Sequence, residues 1–268
     1  MDYSTDLQVA FDVADRAADL ALQFFTSGVT ATAKADGSPV TEADVAVERL
    51  LRECLSAVCP GDALLGEEHG QEGESERLWI LDPIDGTGFF SRGDPNWRIH
   101  VALEIGGVTA LAVVTSPALG TRWWAVRDGG AFEAAWPRVG GEVRRLSVSA
   151  TSRVAEAALD ALASPGRDRL PAGFRPPSSP LPLVELVRGE IDGFLAERYF
   201  TWDHAPWILL VQEAGGRFTD PTGGHASDKG GGFYSNAALH DDVLTVLSYP
   251  VSAVPGRDET DAAFPDRG

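Results

Sequence analysis

The sequence predicts a layered fold of the α/β or α+β class, built from alternating helices and strands. Apolar residues recur at helical spacing over residues 7–25, whereas residues 108–115 form a nearly continuous apolar run of strand length. Helical and strand patterns alternate along the chain without a simple period, and no internal repeat is visible. The chain has 268 residues, of which 44% are hydrophobic, and this is enough to bury a sizeable core.

Two helices and then a series of strands are predicted in the first half of the chain. Gly28 ends the first helix, and Thr41 is a candidate N-cap for a second helix over residues 42–55. Glycine pairs at 106–107 and 129–130 indicate turns between the later strands. The strands are expected at residues 63–66, 77–81, 99–105, 108–115 and 121–126.

The second half is expected to alternate short helices with strands around a loop. Residues 165–182 are rich in proline and glycine, which predicts that loop. We expect helices at residues 154–162, 183–188, 205–214 and 237–247, and a strand at residues 191–196. Residues 1–250 are interpreted as one unit of two intimate lobes, about 1–145 and 146–250, followed by a flexible tail at 251–268.

The net charge of −18 limits the partners of this chain. Its 40 acidic and 22 basic residues would repel a phosphate backbone, so nucleic-acid binding is not expected. The sequence has no apolar run long enough to cross a bilayer, and its N-terminus lacks the features of a signal peptide. A cytoplasmic protein without a membrane partner is therefore expected. Cys54 and Cys59 fall on different faces of one predicted helix and are interpreted as free thiols.

The most informative segment is residues 79–87, where an apolar strand runs into two aspartates. Asp82 and Asp85 are separated by Pro83, which forbids a regular helix at this point. The chain must turn, and the turn can aim both carboxylates and the Ile84 carbonyl oxygen at one spot. Hard divalent cations such as Mg²⁺ take oxygen ligands of this kind. The segment therefore favours a metal site, although Asp-Pro and Asp-Gly pairs are also common in ordinary turns.

Further polar residues are candidates for the same site. Gly86 and Thr87 follow Asp85 directly and leave backbone N–H groups exposed near a predicted helix start, where phosphate oxygens bind well. Glu67 follows a short strand, and Asp203 stands at the start of a predicted helix. Taken singly, Glu67 is equally well interpreted as a solvated side chain and Asp203 as an N-cap. The combination of all these residues favours a functional site.

The motif from Asp82 to Thr87, with Gly66-Glu67-Glu68 before it and Trp202-Asp203 after it, resembles the inositol monophosphatase superfamily. The resemblance extends from about residue 7 to residue 247 and includes the segments 38–44 and 213–216. It implies an α/β/α/β/α sandwich that hydrolyses a small phosphorylated metabolite with two or three Mg²⁺ ions, for which Mn²⁺ can substitute. The implied metal ligands are Glu67, Asp82, the Ile84 carbonyl oxygen, Asp85 and Asp203.

The resemblance also implies roles for residues beside the metals. Thr87 and Asp44 would orient and deprotonate the attacking water, Glu67 would act in catalysis as a metal ligand, and the N–H groups of Gly86 and Thr87 would hold the phosphate. Members of the superfamily are usually dimers or larger, so a homodimer is expected. Apolar area for its interface is offered by three tryptophans, Trp123, Trp124 and Trp136.

Residues 116–125 favour one branch of the superfamily, because their Ser-Pro-Ala-Leu start and tryptophan pair resemble histidinol phosphatases. Three departures from that branch affect the expected substrate wall. Gly88-Phe89-Phe90 replaces a Lys-Asn-aromatic run, residues 175–180 are rebuilt, and the approach to Asp203 over residues 197–201 is one residue shorter. These changes leave the metal ligands intact, which suggests hydrolysis of an altered leaving group in specialised metabolism.

Two residues of the altered segments, Glu197 and Arg175, are predicted substrate contacts. The nearest familial substrate is histidinol phosphate, whose cationic group would suit an acidic pocket. An inositol, sugar or nucleotide (bis)phosphate is the alternative, and a catalytically idle metal-binding scaffold is the alternative of another class. Two histidines are expected outside the chemistry, with His204 at the surface of a helix start and His100 in a structural position.

Overall fold

The protein is described by a computed structural model that covers residues 2–34, 39–137, 141–162, 171–197 and 199–247. The flexible tail expected at 251–268 lies outside the described residues. Among the described helices, none combines the length and the apolar character that crossing a bilayer requires.

The chain begins with helix α1 (Ser4–Ser27), the paired short strands β1 (Thr32–Ala33) and β2 (Pro39–Val40), and helix α2 (Glu42–Val58). The buried face of α1 consists mainly of alanines, whose small side chains let the helix pack closely against its neighbours. The predicted N-cap of α2 is confirmed: the Thr41 hydroxyl accepts the Ala43 N–H at 3.1 Å, and the Asp44 carboxylate accepts the Thr41 N–H at 2.8 Å.

Eight strands form the first sheet. In chain order they are β3 (Ala63–Gly66), β4 (Gly70–Glu72), β5 (Arg77–Asp85), β6 (Arg98–Ile105), β7 (Val108–Ser116), β8 (Thr121–Val126), β9 (Gly130–Ala135) and β10 (Arg144–Arg145), with the short helix α3 (Thr87–Ser91) between β5 and β6. Their order across the sheet is β10-β9-β8-β7-β6-β5-β3-β4, and every neighbouring pair is antiparallel except β3 and β5. The run of strands predicted from the glycine turns is thereby confirmed, and β5 continues past the predicted end to Asp85.

The second half of the chain supplies a five-stranded sheet and three helices. In chain order these are β11 (Leu159–Leu162), β12 (Phe174–Arg175), α4 (Pro182–Val187), β13 (Gly193–Glu197), α5 (Thr201–Glu213), β14 (Gly216–Thr219), β15 (Gly231–Asn236) and α6 (His240–Leu247). The sheet order is β12-β11-β13-β15-β14. The lobe boundary expected near residues 145–146 falls between the last strand of the first sheet and the first strand of the second; the division into lobes stays a prediction.

The helix predicted over residues 154–162 is wrong. Only a single 3₁₀ turn forms at Val154–Glu156, and β11 follows it in parallel pairing with β13. Asp192 fixes the start of β11, because its carboxylate accepts the N–H of Ala158, the residue that precedes the strand, at 2.7 Å. Pairing with a strand more than thirty residues away overrides the local helical preference, and a local pattern does not report such a contact.

Two other boundaries differ from the expectations. The loop predicted over residues 165–182 contains the edge strand β12, and α4 begins with Pro182, which suits the first turn of a helix. Helix α5 begins at Thr201, four residues before the predicted start, so that Asp203 lies within its first turn. Pro206 is tolerated inside the helix close to that end.

The molecule has five layers, and three hydrophobic clusters pack these layers together. The first packs α1 and α2 on one face of the eight-stranded sheet, where Leu81 is buried. The second fills the space between the sheets, in which Ile80 of β5 and Leu209 of α5 lie. The third packs α6 on the outer face of the second sheet, with Val243 and Phe233 in one cluster. The predicted α/β/α/β/α sandwich is confirmed.

The tryptophans that were expected to offer interface area are buried within the protomer. Trp123 and Trp124 belong to the clusters on opposite faces of the first sheet, and their exposed fractions are 1% and 7%. Trp136 is 8% exposed, and its indole N–H donates to the Asp15 carboxylate at 2.7 Å. The expectation for these three side chains was wrong, because alternation along a strand between two packed layers buries both neighbours.

The close approach of β14 and β15 gives a stability prediction. A Cβ at Gly232 would lie 2.2 Å from a ring atom of Phe218 and 2.8 Å from the Thr219 carbonyl oxygen. Because the Phe218 ring is itself buried, Gly232→Ala is expected to lower the free energy of unfolding by about 1–3 kcal/mol, as measured by urea denaturation. Gly61→Ala is the control, since no atom lies within 4 Å of its added Cβ. Equal effects of the two substitutions would contradict the prediction.

Candidate metal centre

Strand β5 carries two candidate ligands, Asp82 and Asp85, at its C-terminal end. Its pairing with β6 is regular up to Asp82, which lies opposite His100, and then shifts so that Asp85 lies opposite Arg98. The extra residue forms a bulge at Pro83, which has no N–H to donate to the sheet. A bulge redirects the side chains that follow it, and here both aspartates contribute to one acidic cluster.

Helix α5 brings a third carboxylate, that of Asp203, to the same place. Asp203 is the third residue of the helix, and its Oδ2 atom accepts the Phe200 N–H at 2.8 Å. One carboxylate oxygen of each of Asp82, Asp85 and Asp203 lies within 4.8 Å of the other two. Asp203 therefore stabilises the start of α5 from the third helical position, whereas the N-cap itself is Phe200, so the interpretation of Asp203 as the N-cap is wrong. Asp203 also belongs to the acidic cluster, and its role as a metal ligand stays a prediction.

Glu67 and Glu68 follow β3 and share one partner, the Lys34 ammonium group. Its Nζ atom lies 2.8 Å from the Glu67 carboxylate and 2.6 Å from that of Glu68. The negative charge of Glu67 raises the pKa values of both Asp82 and Asp203. Glu67 does not belong to the acidic cluster of Asp82, Asp85 and Asp203, and its role as a metal ligand stays a prediction.

A fully buried glutamate of α2, Glu48, fixes the loop that presents Glu67. Its carboxylate accepts the Glu68 N–H at 2.6 Å and the His69 N–H at 3.1 Å, while Arg52 one turn later balances its charge at 2.8 Å. A Cβ at Gly66 would lie only 2.3 Å from a Glu48 oxygen, so this position requires glycine. The Gly-Glu-Glu motif is therefore held by a buried acid that lies outside the motif.

Thr87 and Asp44 form a hydrogen-bonded pair next to the cluster. The Thr87 hydroxyl lies 2.9 Å from Asp44 Oδ1 and 3.1 Å from the Ile84 carbonyl oxygen. The other Asp44 oxygen accepts the Thr41 hydroxyl at 2.6 Å. Gly86 adopts the left-handed conformation with a φ of 87°, and this turn starts α3 at Thr87. The capping residues of α2 and the turn after β5 thereby meet at one place.

Burial and mutual repulsion set the protonation of the cluster. Burial, together with the charges of Glu67 and neighbouring aspartates, raises the pKa of Asp82 and that of Asp203 well above the usual range. Burial also raises the pKa of Glu67 to about 7, against the opposing effect of Lys34. Asp85 differs, because the adjacent Arg98 guanidinium outweighs the effect of burial and lowers the pKa of this carboxylate.

His100 connects the cluster to α5 through a carbonyl group that Pro206 leaves free. Pro206 has no N–H, so it cannot donate to the Trp202 carbonyl oxygen four residues earlier. That oxygen lies 3.2 Å from His100 Nδ1, which must carry the proton because a carbonyl only accepts. Burial lowers the pKa of His100 to about 4, so the ring is neutral near pH 7. Its Nε2 atom then presents a lone pair 3.5 Å from Asp85 Oδ2.

The donor atoms fit a hard divalent cation. The cluster offers carboxylate oxygens from β5 and α5, and the Ile84 carbonyl oxygen lies 3.1 Å from the Thr87 hydroxyl. Carboxylates crowded in a buried region repel one another strongly unless cations lie between them. The chemistry of these donors therefore agrees with the ligand set implied by the sequence motif.

Comparison with known proteins identifies the family. The sequence profile of the inositol monophosphatase family matches residues 2–248, almost the whole chain. The chain belongs to the inositol monophosphatase family. The bulged end of β5 and the first turn of α5 are, in this family member, the places where the family motifs converge.

Relatives of this family member carry different functional names. A Streptomyces griseus protein named glucose-1-phosphate thymidylyltransferase is 40% identical over 256 residues, which are 92% of this chain and 97% of that protein. A histidinol-phosphatase of Mycobacterium tuberculosis is 37% identical over 257 residues, 91% of this chain and 98% of that protein. The solved structure of a Thermotoga maritima IMPase matches with a TM-score of 0.77 at 27% identity, covering 91% of this chain and 97% of that one.

The two predicted substrate contacts lie in the second half of this family member. Arg175 sits on edge strand β12, where its Nε atom donates to the buried Asp160 carboxylate at 2.7 Å and its side chain is 54% exposed. Glu197 ends β13 and is half-buried, six residues before Asp203. Substrate contact by either residue stays a prediction.

The expectation that His204 is a surface residue was wrong. Its side chain is fully buried in the second cluster, and its Nδ1 atom is hydrogen-bonded to the Tyr234 hydroxyl. Burial lowers the pKa of His204 to about 3, so the ring is neutral. The histidine is inside because α5 packs between the two sheets, which encloses even the first turn of the helix.

Three charged residues near the cluster were missed by sequence reasoning. They are Lys34 before the second helix, Glu48 within it, and Arg98 at the start of β6. Each reaches the site from an element that is distant in sequence or carries no recognised motif. The one available signal was a pair of polar residues, Arg98 and His100, on a mostly apolar strand, two residues apart and therefore on the same face.

The raised pKa values give a prediction about the metal-free protein. Glu67 has a pKa of about 7 in the folded protein against 4.5 for an unperturbed glutamate, so the folded state binds more protons than the unfolded state between these pH values. Stability therefore falls as the pH rises through this window, and Asp82 and Asp203 act in the same direction. In excess chelator, this contribution is expected to lower the melting temperature by roughly 3 °C or more between about pH 5 and pH 8 relative to a variant that lacks it, because the buried, neutral His100 and His204 act in the opposite direction in both proteins.

Matched variants test the cause of that drop. Asp203→Asn removes a titrating group but keeps an oxygen for the Phe200 N–H, so the drop should become smaller. Glu53→Gln on the exposed face of α2 should leave it unchanged. An identical pH dependence in all three proteins would show that the cluster does not cause it.

Proposed function

We propose that the chain is a phosphomonoesterase that uses Mg²⁺ to hydrolyse a small phosphorylated metabolite. The observation that carries this proposal is the approach of Asp82, Asp85 and Asp203 to within 4.8 Å beside the hydrogen-bonded Thr87 and Asp44. A cation site next to a group that can orient water is what metal-assisted hydrolysis requires. Family membership and the name of the M. tuberculosis relative support the same reaction class.

The ligand set proposed for the metals is Glu67, Asp82, the Ile84 carbonyl oxygen, Asp85 and Asp203. When bound, Mg²⁺ supplies charge stabilisation for the phosphate oxygens and lowers the pKa of water. Two or three ions are proposed, with Mn²⁺ as a substitute, because the donors are all oxygen atoms. The N–H groups of Gly86 and Thr87 are proposed to bind the phosphate.

Thr87 and Asp44 are proposed to handle the attacking water. The Thr87 hydroxyl donates its proton to Asp44, which leaves the oxygen lone pairs of Thr87 free to accept a water proton and so orient the water. Burial raises the pKa of Asp44, although its bonds to Thr41 and Thr87 oppose this effect. A carboxylate with a raised pKa is a better proton acceptor near neutral pH, which suits a general base acting through Thr87.

Histidinol phosphate is the proposed substrate, and the wall beside Asp203 supports a cationic leaving group. The Phe200 and Trp202 rings stack at the start of α5, with centroids 5.0 Å apart and planes 14° from parallel. Phe200 is 48% exposed, so its ring face is available to a ligand. A cation binds favourably over an aromatic face and near carboxylates, and histidinol carries an ammonium group. The named function of the M. tuberculosis relative agrees with this substrate.

The name of the S. griseus relative suggests a different reaction, transfer of a thymidylyl group to glucose 1-phosphate. That reaction also uses a phosphorylated sugar, so it provides a second substrate class to assay. An inositol, sugar or nucleotide (bis)phosphate remains the alternative within the phosphatases, and an idle metal-binding scaffold the alternative outside them. The intact pair of Thr87 and Asp44 favours an enzyme, because a scaffold requires neither residue.

A cytoplasmic location and a homodimer are also proposed. Both proposals rest on the location and oligomeric state that are usual in the family, and on the sequence. The dimer no longer has support from the three tryptophans, since their side chains are buried in the protomer.

Substitutions at the cluster test the proposed reaction. Asp82→Asn and Asp85→Asn each remove a charged ligand, and Thr87→Ala removes the water-orienting hydroxyl; each is expected to lower kcat roughly a hundredfold or more. Release of inorganic phosphate in Mg²⁺ is the measurement, and excess chelator should abolish it. Glu68→Gln is expected to be milder than Glu67→Gln, because only Glu67 matches the ligand position of the family motif.

Two variants serve as controls for this series. Thr87→Ser keeps a hydroxyl and should retain most of the activity, whereas Asp19→Asn on the exposed face of α1 should behave as the wild type. Full turnover in excess chelator, with the metal content verified as nil, would rule out the proposed mechanism. Greater sensitivity at Glu68 than at Glu67 would show that the assignment within the pair is reversed.

A substrate panel tests the proposed leaving group. We expect kcat/KM for histidinol phosphate to exceed that for inositol 1-phosphate by about tenfold or more, since an aromatic face and nearby carboxylates stabilise a cation by ~1–2 kcal/mol. Phe200→Ala should remove most of this preference while leaving inositol 1-phosphate hydrolysis nearly unchanged. The panel includes fructose 1,6-bisphosphate, adenosine 3′,5′-bisphosphate, and glucose 1-phosphate with dTTP. Equal kcat/KM values for histidinol and inositol phosphates, or release of pyrophosphate from dTTP, would overturn the ranking.

A further inference from the structure

Arg98 places a positive charge directly on one of the candidate metal ligands. It is the first residue of β6, and its Nε and Nη2 atoms both contact the same carboxylate oxygen, Oδ2 of Asp85, with Nε at 2.5 Å. The pair arises from the bulge in β5, because the shift in register brings Asp85 opposite Arg98. Arg98 is therefore built into the sheet beside the cluster.

The guanidinium group is held in place from two sides. Its third nitrogen, Nη1, lies 3.4 Å from the Pro180 carbonyl oxygen in the segment before α4. The Arg98 side chain is 11% exposed and the Asp85 side chain 22%, so water screens this ion pair only weakly. A buried guanidinium with partners on both sides is a fixed counter-charge, in contrast to a mobile surface arginine.

Arg98 contributes to the charge balance of the candidate metal site. Glu67, Asp82, Asp85 and Asp203 carry four negative charges when ionised, and two divalent cations neutralise them. Arg98 already neutralises part of the Asp85 charge, and Lys34 does the same at Glu67. With Arg98 and Lys34 counted as one positive charge each, two divalent ions already bring the site to a net charge of +2, and a third would raise it to +4 before any phosphate arrived.

We propose that Arg98 is a resident cation of the metal site, which occupies Asp85 Oδ2 in place of a further divalent ion, so that the chain takes up two ions rather than three. The inference rests on the proposed metal-dependent function and settles the number of ions within it. Arg98 acts through Asp85 and is a positioning residue. It leaves the second Asp85 oxygen to the divalent ions.

Removal of Arg98 would leave two potential metal-ligand atoms, one from His100 and one from Asp85, without a cation between them. His100, from the same face of β6, points its neutral Nε2 atom at Asp85 Oδ2 from 3.5 Å, and this nitrogen has no hydrogen-bond partner among the described residues. A lone-pair nitrogen and a carboxylate oxygen at that separation form a ligand pair for a transition-metal ion. With Arg98 absent, these two atoms are the place where an additional ion would bind.

The test is a count of Mn²⁺ ions bound by the full chain in the absence of substrate. Metal-free protein is titrated with Mn²⁺, and free Mn²⁺ is measured by electron paramagnetic resonance. The wild type is expected to bind two ions, and R98M three. R98K keeps a positive charge and should bind two. R122M, which breaks a buried arginine–Asp15 pair elsewhere in the sheet, should also bind two.

The outcomes decide the proposal separately from the proposed function. A wild-type count of three, or a folded R98M protein that binds two ions or fewer, would overturn it. If R98M does not fold, as judged by circular dichroism, the proposal is tested by the numbers of Mn²⁺ ions that the wild type and R98K bind. Two ions in both proteins support the proposal, and three ions in the wild type overturn it. Loss of phosphate release in an otherwise metal-binding protein would instead contradict the phosphatase function and leave the ion count standing.

Discussion

The carboxylates of Asp82, Asp85 and Asp203 repel one another across less than 5 Å of largely buried space, and the surrounding structure is organised to hold them there. Two of the three are anchored by a backbone N–H close by in sequence. Asp82 accepts the Ile84 N–H at 3.1 Å, and Asp203 accepts the Phe200 N–H at 2.8 Å. Hydrogen bonds of this kind fix the direction of a carboxylate at a position that repulsion alone would disfavour.

The layered architecture explains why the carboxylates meet where they do. Strand β5 is interior to the first sheet, and α5 lies between the two sheets, so the end of one and the start of the other are enclosed by packed layers. The bulge at Pro83 and the missing N–H of Pro206 occur at these two ends. Each proline removes a regular backbone hydrogen bond, and each freed position serves the site: one redirects Asp85, and the other lets His100 bind the Trp202 carbonyl.

Local signals in the sequence were enough to predict much of this arrangement. The cap at Thr41, the strand that ends in Asp82 and the glycine turns of the first sheet depend on neighbouring residues, and the structure agrees with them. Features that depend on distant contacts were not predictable in this way. Strand β11 was taken for a helix, because its partner β13 lies beyond a long loop, and the buried position of His204 depends on two sheets closing over α5.

The same distinction applies within the site. Candidate ligands stand in recognisable motifs, but the groups that stabilise those ligands do not. Glu48 supports the Glu67 loop from α2, and Lys34 reaches Glu67 from the segment after β1. Arg98 contacts Asp85 only because a bulge shifts one strand against the next. A motif search therefore finds the negative charges of such a site and misses the positive charges that make them compatible with folding.

Those positive charges reduce the repulsion among the carboxylates when no metal ion is bound. In the metal-free folded chain, these carboxylates face one another without divalent cations. Lys34 and Arg98 neutralise one carboxylate on each side of the cluster, while burial and neighbouring charges raise the pKa values of Asp82 and Asp203 and so favour their protonated forms. The two cations differ in one respect. Lys34 is a single ammonium group shared by two glutamates, with 20% of its side chain exposed, whereas Arg98 is fixed by Asp85 and the Pro180 carbonyl. Lys34 is therefore the less rigidly held of the two counter-charges, and Arg98 the more rigidly held.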